Sequence, residues 1–280
     1  MTGNLIIRPM SLPDLQHAAD WAAEEGWNPG LEDAEAFHAV DPDGFLMGWL
    51  GDRPVTAISV VRHSDKFGFL GFYLCRPQNR GQGLGWATWQ AGMAHLGSRT
   101  VGLDGVPDQQ ANYERSGFAY AHNTQRHAGR VEGHAAPDCV LATADDLNEL
   151  LALDTAISGT PRHAYLTAWL HRTHTRRTMV YRGAGRITAF GTIRACREGH
   201  KIGPLFAPDA KTAERLLRAL VASTGASQIM IDIPDPNAAG IALAARLGLT
   251  PIFSCARMYK GTTPTRRLDR IFGETTFELG

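Results

Sequence analysis

The chain has 280 residues, 44% of them hydrophobic, enough to bury one large core or two ordinary ones. Lys plus Arg and Asp plus Glu both total 28, so no basic excess points to nucleic acid or an anionic membrane as a partner. No apolar run approaches the roughly 20 residues that span a bilayer, so no membrane segment is expected.

In chain order, "NLIIRP" predicts a strand, "LPDLQHAADWAAEEG" an amphipathic helix, and "GFLMGWL", "PVTAISVV" and "FGFLGFYLC" three more strands. The glycine-rich "RPQNRGQGLG" then leads into the helix "WATWQAGMAHLG", the strand "TVGLDGV", a short helix through "QQANYERSG" and the strand "FAYAHNTQR". The segment "HAGRVEGHAAPD" has small and polar residues without periodicity and reads as a linker, centred on 129–137. After it the order recurs: "CVLAT", "DDLNELLALD", "RHAYLTAWL", "TMVYR", "RITAFGTIRAC", "HKIGPLFA", "AKTAERLLRALVAS", "QIMIDI", "NAAGIALAARLG" and "LTPIFSCARMYK". This is an α/β mixture run twice, a duplication at domain scale over 1–128 and 138–280. "FSCARMYK" and "TTFELG" are expected to cover a sheet edge. Cys75, Cys139, Cys196 and Cys255 stand far apart without a C-x-x-C pair, and nothing at the start reads as a signal peptide, so the expected compartment is the cytoplasm.

The glycine stretch is the most informative feature. A strand, then Arg80, Gly81, Gln82, Gly83, Leu84 and Gly85, then a helix, directs free N–H groups and a positive helix end at one spot, which suits a phosphate or pyrophosphate. The Gly-Lys-Ser/Thr ending of a P-loop is missing, and the spacing does not fit the dinucleotide G-x-G-x-x-G. A glycine-rich turn without a ligand is the alternative.

"CRPQNRGQGLGWATWQ" resembles the P-x-x-R-G-x-G-x-G/A signature of the GNAT acyltransferases, and "YERSGF" is similar to their later Y-x-x-x-G-F element. The resemblance extends to a tandem subgroup through "EEGWNPGLEDAEAF", "GLDGVPDQQANYERSGF", "KIGPLFAPDA", "ARMYKG" and "FGETTFELG". It implies two tandem GNAT-like domains, each a mostly antiparallel mixed sheet flanked by helices. It further implies that Arg80 to Gly85 hold the coenzyme A pyrophosphate and that Tyr73, Leu74 and Cys75 pair edge-on with the pantetheine amides. A main-chain N–H near Leu74 or Cys75 would polarise the thioester carbonyl.

By the same resemblance Tyr113 is the acid that protonates the departing thiolate, its alternative being a core aromatic. For the base the sequence offers Asp104, Glu24 and Glu25, with a strand-end turn as the plainer role of Asp104. Trp27 and Asn28 fall where the family forms its acceptor wall, or make a Pro-Gly turn with an aromatic anchor. "HRTHTRR", His171 to Arg177, reads as a solvated basic face rather than a metal site, as do His122, His127 and His134; no metal is expected.

In the second half prolines and an aspartate replace the arginine and glycines of the loop, and Ala244 stands where Tyr113 stands in the first. Asn237 matches the asparagine that many GNAT domains use for pantetheine, where the first half has Val106. The expected activity is N-acyl transfer, acetyl in the simplest case, from acetyl-CoA to an amine acceptor that the sequence does not name, by a monomer or homodimer. A non-enzymatic acyl-CoA-binding sensor or assembly module is the rival class.

Overall fold

The computed structural model describes residues 4–183 and 185–280. The first half runs β1 (Leu5–Pro9), α1 (Leu12–Glu24), α2 (Asp33–His38), β2 (Phe45–Leu50), β3 (Arg53–Arg62), β4 (Phe67–Cys75), α3 (Leu84–Leu96), β5 (Thr100–Gly105), α4 (Gln110–Arg115) and β6 (Ala119–Arg130). The second runs β7 (Cys139–Leu141), α5 (Leu147–Ser158), α6 (His163–Leu170), β8 (Arg176–Gly183), β9 (Arg186–Ala195), β10 (His200–Phe206), α7 (Ala210–Thr224), β11 (Gln228–Pro234), α8 (Ala238–Arg246), β12 (Thr250–Lys260) and β13 (Ile271–Gly273). Local chemistry sets several boundaries. Ser11 caps α1 in a reciprocal capping box with Asp14, and Asp209 accepts from the Thr212 amide at the start of α7. α1 turns Leu15, Ala18, Ala19 and Ala22 inward, the stripe of an amphipathic helix.

Among the described residues, thirteen strands form one sheet in the order β1-β2-β3-β4-β5-β12-β6-β11-β10-β9-β8-β7, with β13 attached to β10. Only β4/β5 and β10/β11 pair in parallel. The centre of this order differs from the sequence expectation. β12, including "FSCARMYK", does not cover an edge but lies between β5 and β6, while β6 lies between β12 and β11. Each half thus inserts one strand between two consecutive strands of the other. β6 also runs on to Arg130, through the first residues read as linker, because His127 to Arg130 pair with Ile231 to Gln228. Backbone pairing across the seam supplies what the local composition lacks.

"TTFELG" is not a strand. From Glu274 to Leu279 it is buried, leaving β13 in the second half and crossing into the first. There the Glu278 carbonyl lies against Gly71, where a Cβ would come within 2.1 Å of it, and His63 Nε2 meets the Leu279 carbonyl at 2.8 Å. The "HRTHTRR" stretch is also only partly solvated. Arg176 is buried with its guanidinium 4.4 Å over the Trp169 ring and donates to the Glu32 carbonyl, because β8 turns it toward the acid pair of Glu32 and Asp33. His122 and His127 are buried on the seam strand β6; His134 is exposed.

Candidate active site

β4 and β5 are paired from Phe67 to Leu70 and Thr100 to Leu103, and then part. At the parting β4 carries a bulge: Gly71 faces Ser59 and Leu74 faces Ala57, leaving Phe72 and Tyr73 opposite Ile58 alone. Phe72 takes φ +44°, a left-handed conformation uncommon for an aromatic residue. β5 meanwhile stays bonded to β12, with Asp104 opposite Arg257. The wedge between the two strands is a cavity of about 590 Å³. The Arg76 amide bonds to the Val55 carbonyl at 3.0 Å, so strand alternation turns the Leu74 amide to β3 and the Cys75 amide to the wedge.

At one end of the cavity lie Arg80, Gly81, Gly83, Leu84 and Gly85. Gly81 and Gly83 have φ +74° and +77°, and an added Cβ on either would meet no atom within 4 Å. Conformation and open space together account for glycine there. Gly83 caps α3 without a side chain, and Ala87 is the first residue whose amide finds a helical acceptor, so the amides of the first turn remain available. Arg80 is held by the Cys75 carbonyl at 2.9 Å and by Glu25. Gln82 does not line the cavity; its side chain bonds back to the Gln78 carbonyl.

Tyr113 lines the middle of the wedge from α4, buried, its ring stacked on Trp89 with centroids 5.7 Å apart. Gly105 makes room for it, since a Cβ there would stand 2.3 Å from the ring. Burial pushes the Tyr113 phenol well up, reinforced by Tyr73 and Cys255, and pushes Tyr73 to about 12. Both are protonated at neutral pH.

Asp104 also lines the cavity, but both its oxygens accept from Arg257, at 2.6 and 2.7 Å. Burial pushes its carboxyl up against the pull of the Arg257 charge, and the bidentate geometry decides for an ionised pair. Arg257, disfavoured by burial but flanked by Asp104 and Glu274, is raised well above the usual range. With both oxygens engaged by Arg257, Asp104 stands as the buried half of an ion pair, a role different from the base that the sequence offers it for. Of the other two acids, Glu25 sits at the rim paired with Arg80, and Glu24 is exposed, paired with Arg76 outside the cavity lining.

The far end of the cavity is walled by Trp27, Phe72, Phe253 and Phe277. Arg126 organises it: its guanidinium binds both Asp232 oxygens at 2.7 and 2.9 Å, donates to the Trp27 carbonyl at 3.0 Å, and lies 4.9 Å over the Phe277 ring. Asn28 is not part of this wall. Its side chain donates to the Glu198 carbonyl and accepts from the Glu198 amide, fixing a left-handed φ of +50°. It is a bracket between the halves. Glu278, Phe277 and Arg126 were absent from the sequence reading, because nothing local to "FGETTFELG" or "HNTQR" marks a segment that reaches a cleft built by residues far away.

The second half has the same parting between β10 and β11 after Ile202 and Ile231, but β13 fills it, pairing Leu205 with Gly273 and Phe206 with Ile271.

Residues 150–273 match the acetyltransferase (GNAT) domain family. A holothin acyltransferase of Pseudoalteromonas sp. (strain SANK 73390) is 34% identical over 276 residues, 98% of this chain and 94% of the relative. Among solved structures, a candidate acetyltransferase from Pyrococcus horikoshii superposes with a TM-score of 0.82 at 22% identity, over 99% of this chain and 96% of that one. A tandem GNAT protein from the clavulanic acid biosynthesis pathway does so at 0.64 and 14%, over 93% and 100%. With a relative of that identity matched along nearly its whole length, on a wedge between parted strands beside an open glycine loop, the chain belongs to the GNAT acyltransferases.

Proposed function

We propose that the chain transfers an acetyl group from acetyl-CoA to an amine, with the acyl-CoA site in residues 1–128 and a second half that holds no acyl-CoA of its own. The observation that carries this reading is the meeting, in one cavity, of an open glycine loop at a helix start with the free edge of a bulged strand. The loop from Arg80 to Gly85 holds the pyrophosphate on main-chain amides, with the Arg80 charge beside it. The pantetheine lies along Tyr73 to Cys75 as an added strand would. The thioester carbonyl then meets the Cys75 amide, which stabilises the oxyanion.

Tyr113 supplies the proton for the leaving sulfur. Its hydroxyl has no protein hydrogen-bond partner among the described residues, and burial keeps it protonated. Trp27 and the aromatic residues opposite form the acceptor wall. The Pseudoalteromonas relative is named for acylation of holothin, which makes holothin the first acceptor to test. The four thiols are unpaired, in keeping with a cytoplasmic location.

Calorimetric titration with acetyl-CoA, followed by free-thiol release with holothin and an amine panel, tests the proposal. Saturable acetyl-CoA binding with acceptor-dependent thiol release is expected. Failure to bind acetyl-CoA sinks it.

A further inference from the structure

Four carboxylates line the cavity: Glu25, Asp104, Asp108 and Glu278. Glu25 is paired with Arg80 at the rim, Asp104 is locked to Arg257, and Asp108 is exposed. Glu278 differs from all three. It is 4% exposed, yet its carboxylate has no hydrogen bond and no ion pair within 4 Å among the described residues. Three cations, Arg126, Arg194 and Lys201, lie within electrostatic reach and offset part of the cost of burying it, yet none bonds it, so its oxygens stay free for a ligand.

Its position is set tightly. The Glu278 carbonyl packs on Gly71, the last residue of β4 before the bulge, and accepts from Ser59 Oγ at 3.4 Å. The Leu279 carbonyl next to it is held by His63. Phe277, one residue before, stands in the aromatic wall. A carboxylate with no bond of its own is therefore held beside the point where β4 and β5 part, at an end walled by rings and by Arg126, whose guanidinium is taken up by Asp232 and the Trp27 carbonyl.

We infer that Glu278 is the group that receives the acceptor's amine and takes its proton, and that the acceptor is a primary amine on a compact, largely apolar body. This rests on the acetyl-transfer reading above. One free carboxylate beside Trp27, Phe72, Phe253 and Phe277, with Arg126 in the same wall, matches one ammonium group on an apolar skeleton; the further positive charges of a polyamine would face rings and the Arg126 cation. In the step itself the Glu278 carboxylate takes one proton from the ammonium. The freed amine lone pair forms the C–N bond and the C–S bond breaks. Tyr113 gives its proton to the thiolate, and the proton still on the amide nitrogen restores the phenol through solvent. Glu278 then releases its proton to water. The charged or titratable groups within electrostatic reach of Glu278 are Arg126 on β6, Arg194 on β9, Lys201 on β10 and Cys255 on β12.

The test uses the full chain, acetyl-CoA and phenethylamine. Amine-dependent release of free thiol is expected from the parent, and little with spermidine. Glu278→Gln should lower kcat by about 100-fold or more and remove the acidic limb of the pH–rate profile, with acetyl-CoA affinity by calorimetry within about twofold of the parent. Glu278→Asp, which keeps the carboxylate, should recover part of the rate. A Gln variant with the parental rate and pH limb overturns the inference, and so does a parent that binds acetyl-CoA yet releases no thiol to phenethylamine. A parent that binds no acetyl-CoA fails the acetyl-transfer reading instead and takes this inference with it.

Discussion

The Asn237 side-chain amide donates to the Ile271 carbonyl at 2.8 Å, and its oxygen accepts from the Gly240 amide. The residue that the family resemblance assigned to pantetheine is thus engaged by the chain's own β13, which lies in the parting between β10 and β11. A coenzyme would have to displace a strand that is already paired. Titration of the intact chain with coenzyme A is expected to saturate at one equivalent; two equivalent sites would contradict the assignment.

Gly83→Asp adds bulk and negative charge where the amides of the first turn of α3 open to the cavity. The position is free of neighbours but has φ +77°, a conformation that costs a non-glycine residue about 1 kcal/mol, so the fold should survive with a modestly lowered melting temperature. Coenzyme A binding should be lost by calorimetry. Unchanged affinity in the folded variant would remove the loop from the site.

Tyr113→Phe removes one hydroxyl and almost no volume, leaving the stack on Trp89 intact. A fall in kcat on the order of tenfold to a thousandfold, with coenzyme affinity nearly kept, is expected from loss of the acid. Parental activity would return Tyr113 to the core.

Asp104→Asn separates a structural carboxylate from a catalytic one. It leaves Arg257 buried with half its partners, so a loss of about 3–5 kcal/mol in urea unfolding is expected. The pH–rate profile of the folded fraction should keep its shape. A variant of parental stability with a shifted acidic limb would restore Asp104 as the base.

Burial lowers His63 to about 4, partly opposed by its bond to the Leu279 carbonyl, and its Nδ1 is buried without a partner. Because the folded pKa lies below the unfolded value near 6.5, the unfolded chain takes up the proton first. The contribution is full above about pH 6.5 and lost as pH falls toward 4, about 3 kcal/mol at most. His63→Gln should flatten the stability profile over that window. Equal slopes in parent and variant would rule His63 out as the source.

Much of the first half was legible because its signals are local. "FGFLGFYLC" coincides with β4, and Gly81 and Gly83 fall at the positive-φ positions that open the loop. What escaped was set by distance along the chain. Asp104 reads as a strand-end acid until Arg257, 153 residues on, occupies both its oxygens. Asn28 reads as an acceptor contact until Glu198, 170 residues on, takes its amide. Glu278 carries no signal at all, since its meaning comes from crossing Gly71. The strand exchange was hidden for the same reason: β12 has the alternation of any half-buried strand, and alternation does not name a neighbour.

The interleaving of β6 and β12 has a consequence for how the protein is made. When the first 130 residues have left the ribosome, β5 has no neighbour on its outer side, for its partner β12 begins at Thr250. The nascent first half must therefore wait with an open, aggregation-prone edge while more than a hundred further residues are synthesised. The cleft is finished later still, when Phe277 and Glu278 thread past Gly71. The centre of the sheet is therefore among the last parts of these 280 residues to form, and the cleft wall closes only after Phe277 and Glu278 have been made.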